Sequence, residues 1–443
     1  MGSRQSNPRN LRPNDHHLLR SMVTNVSNFS FCIEFRACSD KIEVGFRLSG
    51  SRRSDIWNLG PNGHHLRPST VTSNADEQWT INFCFTAWVI TVLTVSSAGA
   101  PPPAVYIFGD STLDVGTNDL IPECQARADV AFNGIDFPFS EPTGRFSNGL
   151  NTADEIVMLM GLKRSPPPFL RLVQNPSTFK KNILKGANFA SGGSGILNTT
   201  GQYNYKRVIS LEEQIQQFST VRSNITNMTG SDAQTDAILS KAFFLISIGS
   251  NDIFEYLLNI TVPPSMTIPE FNATLVSSYE NHLKTLYELG ARTFGILTVP
   301  PIGCTPFARA VFSIPMYHND SCFLPAQQFA QAFYTEAVAL LEKFSSQVQD
   351  IQYALANTYL MTASVMEDML AFGFKDISSA CCGNGTYQCN QTASVCSNRE
   401  EYLFWDRFHP TQRASELAAL TLFGASEWLV APMNFSQLLV VNI

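Results

Sequence analysis

The stretch Val105-Tyr106-Ile107-Phe108-Gly109-Asp110-Ser111 places a serine hydroxyl directly after a short run of apolar residues. Short apolar runs that are bounded by turn residues are typical of buried strands. In open α/β sheets, reactive groups lie beyond the carboxyl ends of the strands. The stretch therefore predicts a first strand that delivers Ser111 to a functional edge, although Gly-Asp-Ser is also ordinary turn chemistry.

A second stretch near the other end of the chain, Trp405-Asp406-Arg407-Phe408-His409-Pro410, supplies a carboxylate and an imidazole three positions apart. Serine, histidine and aspartate are the nucleophile, the base and the orienting acid of covalent acyl transfer. The other histidines of the catalytic region, His282 in a predicted helix and His318 in a polar loop, are interpreted as surface residues. We therefore expect His409 to be the base.

Two further stretches could donate hydrogen bonds to the negative charge that develops on a carbonyl oxygen. Residues 186–195 end in the glycine-rich turn Ser191-Gly192-Gly193-Ser194-Gly195, whose backbone N–H groups can point at a ligand. Gly249-Ser250-Asn251-Asp252 follows the apolar run 242–248 and presents a side-chain amide at another strand end. A flexible loop and a helix N-cap are the alternatives, but all four stretches together favour acyl transfer.

In order, spacing and chemistry, these stretches resemble the SGNH hydrolases, specifically the plant GDSL esterase/lipases, over about residues 103–430. The segments 142–149 (PTGRFSNG) and 299–304 (VPPIGC) also resemble segments of the plant branch. The resemblance implies that Ser111 attacks an ester carbonyl, His409 transfers the proton and Asp406 orients His409.

The resemblance also implies the composition of the oxyanion hole. Its donors would be the backbone N–H groups of Ser111 and Gly192 and the side-chain amide of Asn251. Gly193 and Gly195 lie in the same turn as Gly192. The sequence therefore identifies the glycine donor less clearly than it identifies Ser111 or Asn251.

The rest of the chain predicts a three-layer α/β/α sandwich with a mostly parallel central sheet, a flavodoxin-like SGNH hydrolase fold. Helical spacing of apolar residues alternates with four predicted strands. No Gly-x-Ser-x-Gly elbow occurs in the sequence, which argues against the α/β-hydrolase fold. The predicted strands are 105–108, 243–248, 293–299 and 351–356, and the predicted helices are 211–221, 279–289 and 326–343.

The composition is that of a globular protein, with 44% hydrophobic and 15% charged residues and a net charge of −7. The negative charge and the lack of a basic stripe argue against a nucleic-acid partner. His-Glu-x-x-His and paired Cys-x-x-Cys motifs are also missing from the sequence. We therefore expect no catalytic metal and no cofactor, and a small-molecule or polymer ester as the substrate.

The N-terminal hundred residues differ from the rest. Residues 1–78 are predicted to be a disordered or mis-annotated extension, and 79–98 a signal-like hydrophobic segment that is cleaved after Ala98. The remaining residues, 99–443, would then form a single hydrolase domain with no stable membrane anchor. An unusually long leader and an uncleaved anchor of marginal length are the alternatives.

Sequons and cysteines favour the secretory route. Seven of the ten cysteines follow the predicted cleavage site, and four crowd into one loop, Cys381 to Cys396, which indicates a disulfide-stapled loop or, alternatively, a metal cluster. Cys304 and Cys322 are a further candidate pair, and Cys124 would then be the one unpaired cysteine of the seven. The glycosylation candidates are Asn198, Asn224, Asn227, Asn259, Asn272, Asn319, Asn384, Asn390 and Asn434.

The sequence therefore predicts a secreted serine ester hydrolase of the apoplast or cell wall, or alternatively of the vacuole or another secretory compartment. Its candidate substrates are lipid, cutin-like, small aromatic or cell-wall acetyl esters. Transfer of the acyl group to an alcohol on the same site is an alternative. A catalytically inactive glycan- or lipid-binding wall protein is another.

Overall fold

The computed structural model describes residues 18–26, 29–38, 41–48, 102–260, 266–312 and 322–441. The chain divides into two compact units, residues 1–75 and 76–443. In the first unit, β1 (Leu18–Val26), β2 (Phe29–Cys38) and β3 (Lys41–Leu48) form an antiparallel sheet. The signal-like segment 79–98 lies outside the described residues, and the interpretation of residues 1–78 stays a prediction.

The second unit is built on a six-stranded sheet of order β11-β8-β7-β6-β4-β5. All neighbouring strands are parallel except β11, which runs antiparallel at one edge. Gly109, Ser247, Leu297 and Ala356 lie side by side at the carboxyl ends of four adjacent strands. The strands are β4 (Val105–Gly109), β5 (Gly186–Asn188), β6 (Phe243–Ser247), β7 (Thr293–Leu297), β8 (Gln352–Ala356), β9 (Asp376–Ala380), β10 (Tyr402–Phe404) and β11 (Val430–Ala431), of which β9 and β10 form a separate parallel pair.

Helices cover both faces of the sheet and bury two apolar cores. One core is formed with α5 (Leu211–Thr229), α8 (Ile268–Glu288) and α10 (Leu324–Gln347), and the other with α1 (Thr152–Leu159), α12 (Gln412–Gly424) and α13 (Phe435–Val441). The helices are α1 (Thr152–Leu159), α2 (Phe169–Val173), α3 (Pro176–Ile183), α4 (Gln202–Tyr205), α5 (Leu211–Thr229), α6 (Asp232–Leu239), α7 (Ser250–Leu257), α8 (Ile268–Glu288), α9 (Pro306–Val311), α10 (Leu324–Gln347), α11 (Thr358–Glu367), α12 (Gln412–Gly424) and α13 (Phe435–Val441).

These elements confirm the predicted three-layer α/β/α sandwich and its four main strands. The predicted helical segments fall within α5, α8 and α10, apart from the last residue of 279–289. Helix α5 shows why, since Leu211, Ile215, Phe218 and Val221 form one buried stripe. Its N-terminus is fixed by Ser210, whose side chain accepts a hydrogen bond from the Glu213 N–H.

Among the described residues of the second unit, three disulfides join six cysteines: Cys304–Cys322, Cys381–Cys396 and Cys382–Cys389. The pairing of Cys304 with Cys322 is as predicted, and Cys124 is left as a buried free thiol. Because the four crowded cysteines are bonded in pairs, they are not available as the ligands of a metal cluster. None of the helices within the described ranges has the length and apolar character needed to cross a membrane.

Candidate active site

The strand that precedes Ser111 is held rigidly where it ends. At Gly109, φ is +148°, and a Cβ atom there would lie 2.2 Å from the Ser247 carbonyl oxygen, so the position requires glycine. Buried Gln214 on α5 accepts a hydrogen bond from the Gly109 N–H at 2.8 Å and donates one to the Gly109 carbonyl at 2.9 Å. The Asp110 N–H donates to the Ser247 carbonyl at 3.1 Å. These contacts fix the backbone immediately before Ser111, and sequence reasoning missed the part that Gln214 plays.

Ser111, His409 and Asp406 form one chain of hydrogen bonds. His409 Nε2 lies 2.7 Å from Ser111 Oγ, and His409 Nδ1 lies 2.8 Å from Asp406 Oδ2. Asp406 Oδ1 also accepts the backbone N–H groups of Phe408 and His409, each at 2.8 Å. The structure thus brings together the three residues that the sequence singled out.

The environment keeps Asp406 ionised. Burial by itself raises the pKa of this carboxyl, but the charge and hydrogen bond of His409, together with the two backbone donors, outweigh burial and hold the pKa below its ordinary value. A carboxylate in this position accepts a proton-bearing Nδ1, which leaves Nε2 of the neutral ring free to accept the Ser111 proton.

Neighbouring segments position the imidazole. The Phe146 ring packs against His409 with 4.8 Å between ring centroids. Next to Phe146, the guanidinium of Arg145 forms a buried two-bond ion pair with Asp154, at 2.5 and 2.9 Å. Asp154 lies in the first turn of α1. The ion pair therefore ties the Phe146 segment to the helix that follows it.

The disulfide-bonded loop braces the Asp406 segment from behind. The Cys382 N–H donates to the carbonyl of buried Trp405 at 2.6 Å, and the Trp405 indole N–H donates to Asn133 Oδ1 at 2.7 Å. Trp405 is thus fixed through both its backbone and its side chain. It immediately precedes Asp406, so the loop that contains two disulfides sets where the acid lies.

The glycine-rich turn differs from the sequence expectation in one residue. The Gly192 N–H donates to the buried carboxylate of Asp114 at 2.9 Å, so it is already occupied and is not available as an oxyanion donor. Gly193 lines the same cavity as Ser111 and Asn251, and its N–H has no hydrogen-bond acceptor within the described part of the chain. The choice of Gly192 was therefore wrong on geometric grounds, and Gly193 is the candidate donor.

Asp114 organises this turn. Its Oδ1 accepts the N–H groups of Gly116 and Thr117 at 2.8 and 2.7 Å, and its Oδ2 accepts that of Gly192. Burial raises the pKa of Asp114 to about 7, although the three hydrogen bonds act in the opposite direction. Asn251 is tied to the same turn, since its side-chain amide donates to the Ser194 carbonyl at 2.9 Å and retains a second N–H.

A cavity of about 420 Å³ opens above the triad and extends in two directions. Towards one side it is lined by polar groups that include Gln125, Arg127 and Arg407. Towards the other it runs between α11 and α12. This volume lies within the range of roughly 300–1,000 Å³ that is typical of small-molecule sites.

The other predicted residues have mixed outcomes. His282 is half-buried rather than fully exposed, with its Nε2 3.0 Å from the Ile196 carbonyl, and it does not line the cavity that contains Ser111; burial lowers its pKa. His318 and the sequon residue Asn319 lie outside the described residues. Asn272 and Asn434 are buried, at 4% and 8% exposure, so their amides are unsuited to accept a glycan. The remaining sequon residues are exposed or half-buried: Asn198, Asn224, Asn227, Asn259, Asn384 and Asn390.

Comparison with known proteins assigns the family. The model of the GDSL-like Lipase/Acylhydrolase family matches residues 105–422. GDSL esterase/lipase At5g55050 of Arabidopsis thaliana is 33% identical over 344 residues, which cover 76% of this chain and 89% of the relative. GDSL esterase/lipase LTL1 of Arabidopsis thaliana is 34% identical over 346 residues, which cover 76% of this chain and 91% of the relative. The chain therefore belongs to the GDSL-like lipase/acylhydrolase family and is an enzyme of the carboxylic ester hydrolase class.

Proposed function

We propose that the protein hydrolyses carboxylic esters through an acyl-enzyme formed on Ser111. The observation that supports this most directly is the continuous contact from Ser111 Oγ through His409 to Asp406, at 2.7 and 2.8 Å. Hydrogen-bond contacts of this kind among a hydroxyl, an imidazole and a carboxylate are the structural signature of an activated serine nucleophile.

The reaction follows from this geometry in two stages. Ser111 Oγ bonds to the carbonyl carbon while its proton passes to His409 Nε2; the bond to the alcohol then breaks, and the departing alkoxide takes that proton. Water repeats the sequence on the acyl-enzyme, which releases the acid and restores Ser111. Asp406 stays ionised throughout and stabilises the imidazolium that forms in each stage.

We assign the oxyanion donors to the backbone N–H groups of Ser111 and Gly193 and to the free N–H of the Asn251 amide. All three residues line the cavity that contains the triad. Asp114 and the Ser194 carbonyl hold the turn and the amide in place before substrate arrives. Donors fixed in advance stabilise developing charge without reorganisation during the reaction.

We further propose that the enzyme is secreted. Three disulfides, two of them directly before the catalytic acid, fit an oxidising compartment. Six described sequon residues that are exposed or half-buried support passage through the secretory pathway. Glycosidase treatment of the secreted chain should lower its apparent mass, and N-terminal sequencing should begin at Gly99.

The full-length chain, expressed through a secretory host, tests the catalytic proposal with a fluorophosphonate label and p-nitrophenyl butyrate. Wild type should be labelled at Ser111 and hydrolyse the ester. Ser111→Ala should lose both properties, while Ser379→Ala, at an exposed serine that does not line the cavity, should keep them. Hydrolysis by Ser111→Ala within tenfold of wild type would contradict the mechanism, and folded wild type that is neither labelled nor active would indicate a binding protein.

A further inference from the structure

One side of the active-site cavity is formed by a single face of α11. Thr358, Met361, Thr362 and Val365 all line the cavity, at spacings of three, one and three residues. Residues three or four apart on a helix share a face. Except for Met361, which is buried, these side chains are only half-buried, although the helix lies against the body of the protein. This face therefore borders space that is not filled by neighbouring side chains.

The opposite side is formed by a face of α12. Ala414, Leu417, Ala418 and Thr421 line the same cavity at spacings of three, one and three residues. The adjoining face of the helix, which includes Ala419 and Phe423, packs into the apolar core. Helices α11 and α12 thus present two matching apolar faces to a shared space, which we call the apolar arm.

Aromatic side chains extend the apolar lining of the arm. Phe372, Phe374 and Phe404 line the cavity, together with Leu403. These residues belong to one apolar cluster with Val365 and Leu417. The wall of the arm is therefore formed largely by hydrocarbon.

Three of the four threonine hydroxyl groups along the apolar arm already donate to backbone carbonyl groups of the protein. Thr298 Oγ donates to the Ala356 carbonyl at 2.8 Å, and Thr421 Oγ donates to the Leu417 carbonyl at 2.8 Å. Thr358 Oγ donates to the Thr298 carbonyl. Because these donors are occupied, a ligand with many hydroxyl groups would leave its own polar groups unpaired in the arm. A hydrocarbon chain carries no such cost.

The apolar arm starts at the nucleophile and runs along the carboxyl edge of the sheet. Ser111 follows the end of β4 by two residues, and Thr358 follows the end of β8 by two residues. Strands β6 and β7 lie between them, which makes three strand spacings. At about 4.8 Å per spacing, the arm reaches about 14 Å from the serine.

The other end of the cavity has different chemistry. Gln125, Arg127, Asn133, Gln388 and Arg407 line it, so it is rich in amides and guanidinium groups. Arg407 also packs against the rings of Phe307 and Phe408. This end suits the polar alcohol part of an ester better than its acyl chain.

We propose that the apolar arm between α11 and α12 binds the acyl chain of the substrate, and that the enzyme prefers esters of unbranched medium-chain acids whose alcohol part lies at the polar end. This inference rests on the proposed serine esterase activity. It assigns Val365, Leu417 and Ala418 as residues that determine acyl-chain length.

The test is the ratio of kcat/KM for p-nitrophenyl decanoate to that for p-nitrophenyl acetate. Wild type should favour the decanoate. Ala418→Phe, which fills the apolar arm, should lower the ratio on the order of 10²-fold, because each buried methylene contributes about fourfold and roughly four would be displaced. Leu420→Phe places the same ring on the same helix at a half-buried residue that does not line the cavity, and it should leave the ratio within threefold of wild type.

Val365→Phe on the facing helix provides a second variant if Ala418→Phe does not fold. Decyl acetate provides the reverse arrangement, with the long chain on the alcohol. A decanoate-to-acetate ratio that neither filling variant lowers, or a selective loss of decyl acetate hydrolysis, would overturn the assignment. If no variant and no wild-type sample shows Ser111-dependent hydrolysis, the proposed esterase function itself has failed, which the label at Ser111 reports separately.

Discussion

Replacing Asp406 by asparagine tests the proposed role of the acid with little change in shape. In Asp406→Asn, the side-chain oxygen can keep the two backbone hydrogen bonds from Phe408 and His409. The amide NH₂ would then face His409 Nδ1, at the place where Asp406 Oδ2 now lies 2.8 Å away. An NH₂ group only donates, so it repels an Nδ1–H placed 2.8 Å away. Oδ1 also lies 2.9 Å from Nδ1, but it already accepts two backbone N–H groups. We therefore expect Nδ1 to become the acceptor and the proton to move to Nε2.

That change of tautomer disables the base. With a proton on Nε2, His409 cannot accept the Ser111 proton across the 2.7 Å contact. In serine hydrolases with this arrangement, the equivalent change lowers kcat about 10⁴-fold. The corresponding rise in the activation free energy is about 5 kcal/mol. KM should change little, since Asp406 contributes to the reaction through His409.

Steady-state hydrolysis of p-nitrophenyl butyrate measures the loss, and circular dichroism with thermal unfolding checks the fold. Asp376→Asn is the matched control, because Asp376 accepts the backbone N–H groups of Ser378 and Ser379 in the same kind of turn, without a histidine partner. Asp376→Asn should retain wild-type kcat. An Asp406→Asn enzyme within tenfold of wild type would refute the tautomer argument.

Three further predictions follow from contacts described above. Asn251→Ala should lower kcat about 10²- to 10³-fold with little effect on KM, because it removes one oxyanion donor; an unchanged kcat would exclude Asn251 from the hole. Arg145→Met should lower the free energy of unfolding by about 3–5 kcal/mol in a denaturant titration, since Asp154 would be left as an uncompensated buried carboxylate. Burial raises the pKa of Asp114 to about 7 and that of Asp252 to about 6, so both bind a proton more tightly in the folded state than in the unfolded state. Their stabilising contribution is complete below about pH 4 and is lost as the pH rises towards 7, so the unfolding temperature should fall from pH 5 to pH 8, and a rise would contradict this.

Predictions from the sequence were correct where a short stretch of residues is compatible with few structures. Apolar runs such as 243–248 predict buried strands because a parallel sheet covered on both faces has no polar side. Ser111 and His409 could be singled out because each lies next to chemistry that explains it: a strand end before the serine, and a carboxylate three residues before the histidine.

Sequence reasoning failed where the outcome depends on one peptide group or on long-range packing. Positions 192 and 193 are both glycine, so the sequence does not distinguish their N–H groups. The position of the Asp114 carboxylate decides which of the two N–H groups remains available. Gln214 is an ordinary helical residue until the fold places it against Gly109, 105 positions earlier. The buried state of Asn272 likewise depends on which face of α8 meets the core, not on the sequon itself.

The acid and the base of this enzyme form a self-contained turn. Asp406 contacts the ring of His409 and also both backbone N–H groups of Phe408 and His409, all within four consecutive residues. Ser111 joins them through one hydrogen bond only. A rigid displacement of the turn would therefore lengthen the contact from Ser111 to His409 while the imidazole kept its Asp406 partner and its tautomer. Catalytic readiness thus depends on the approach of one preassembled turn to Ser111, and every return of the turn restores the proton-transfer pathway without rearrangement of the acid–base pair.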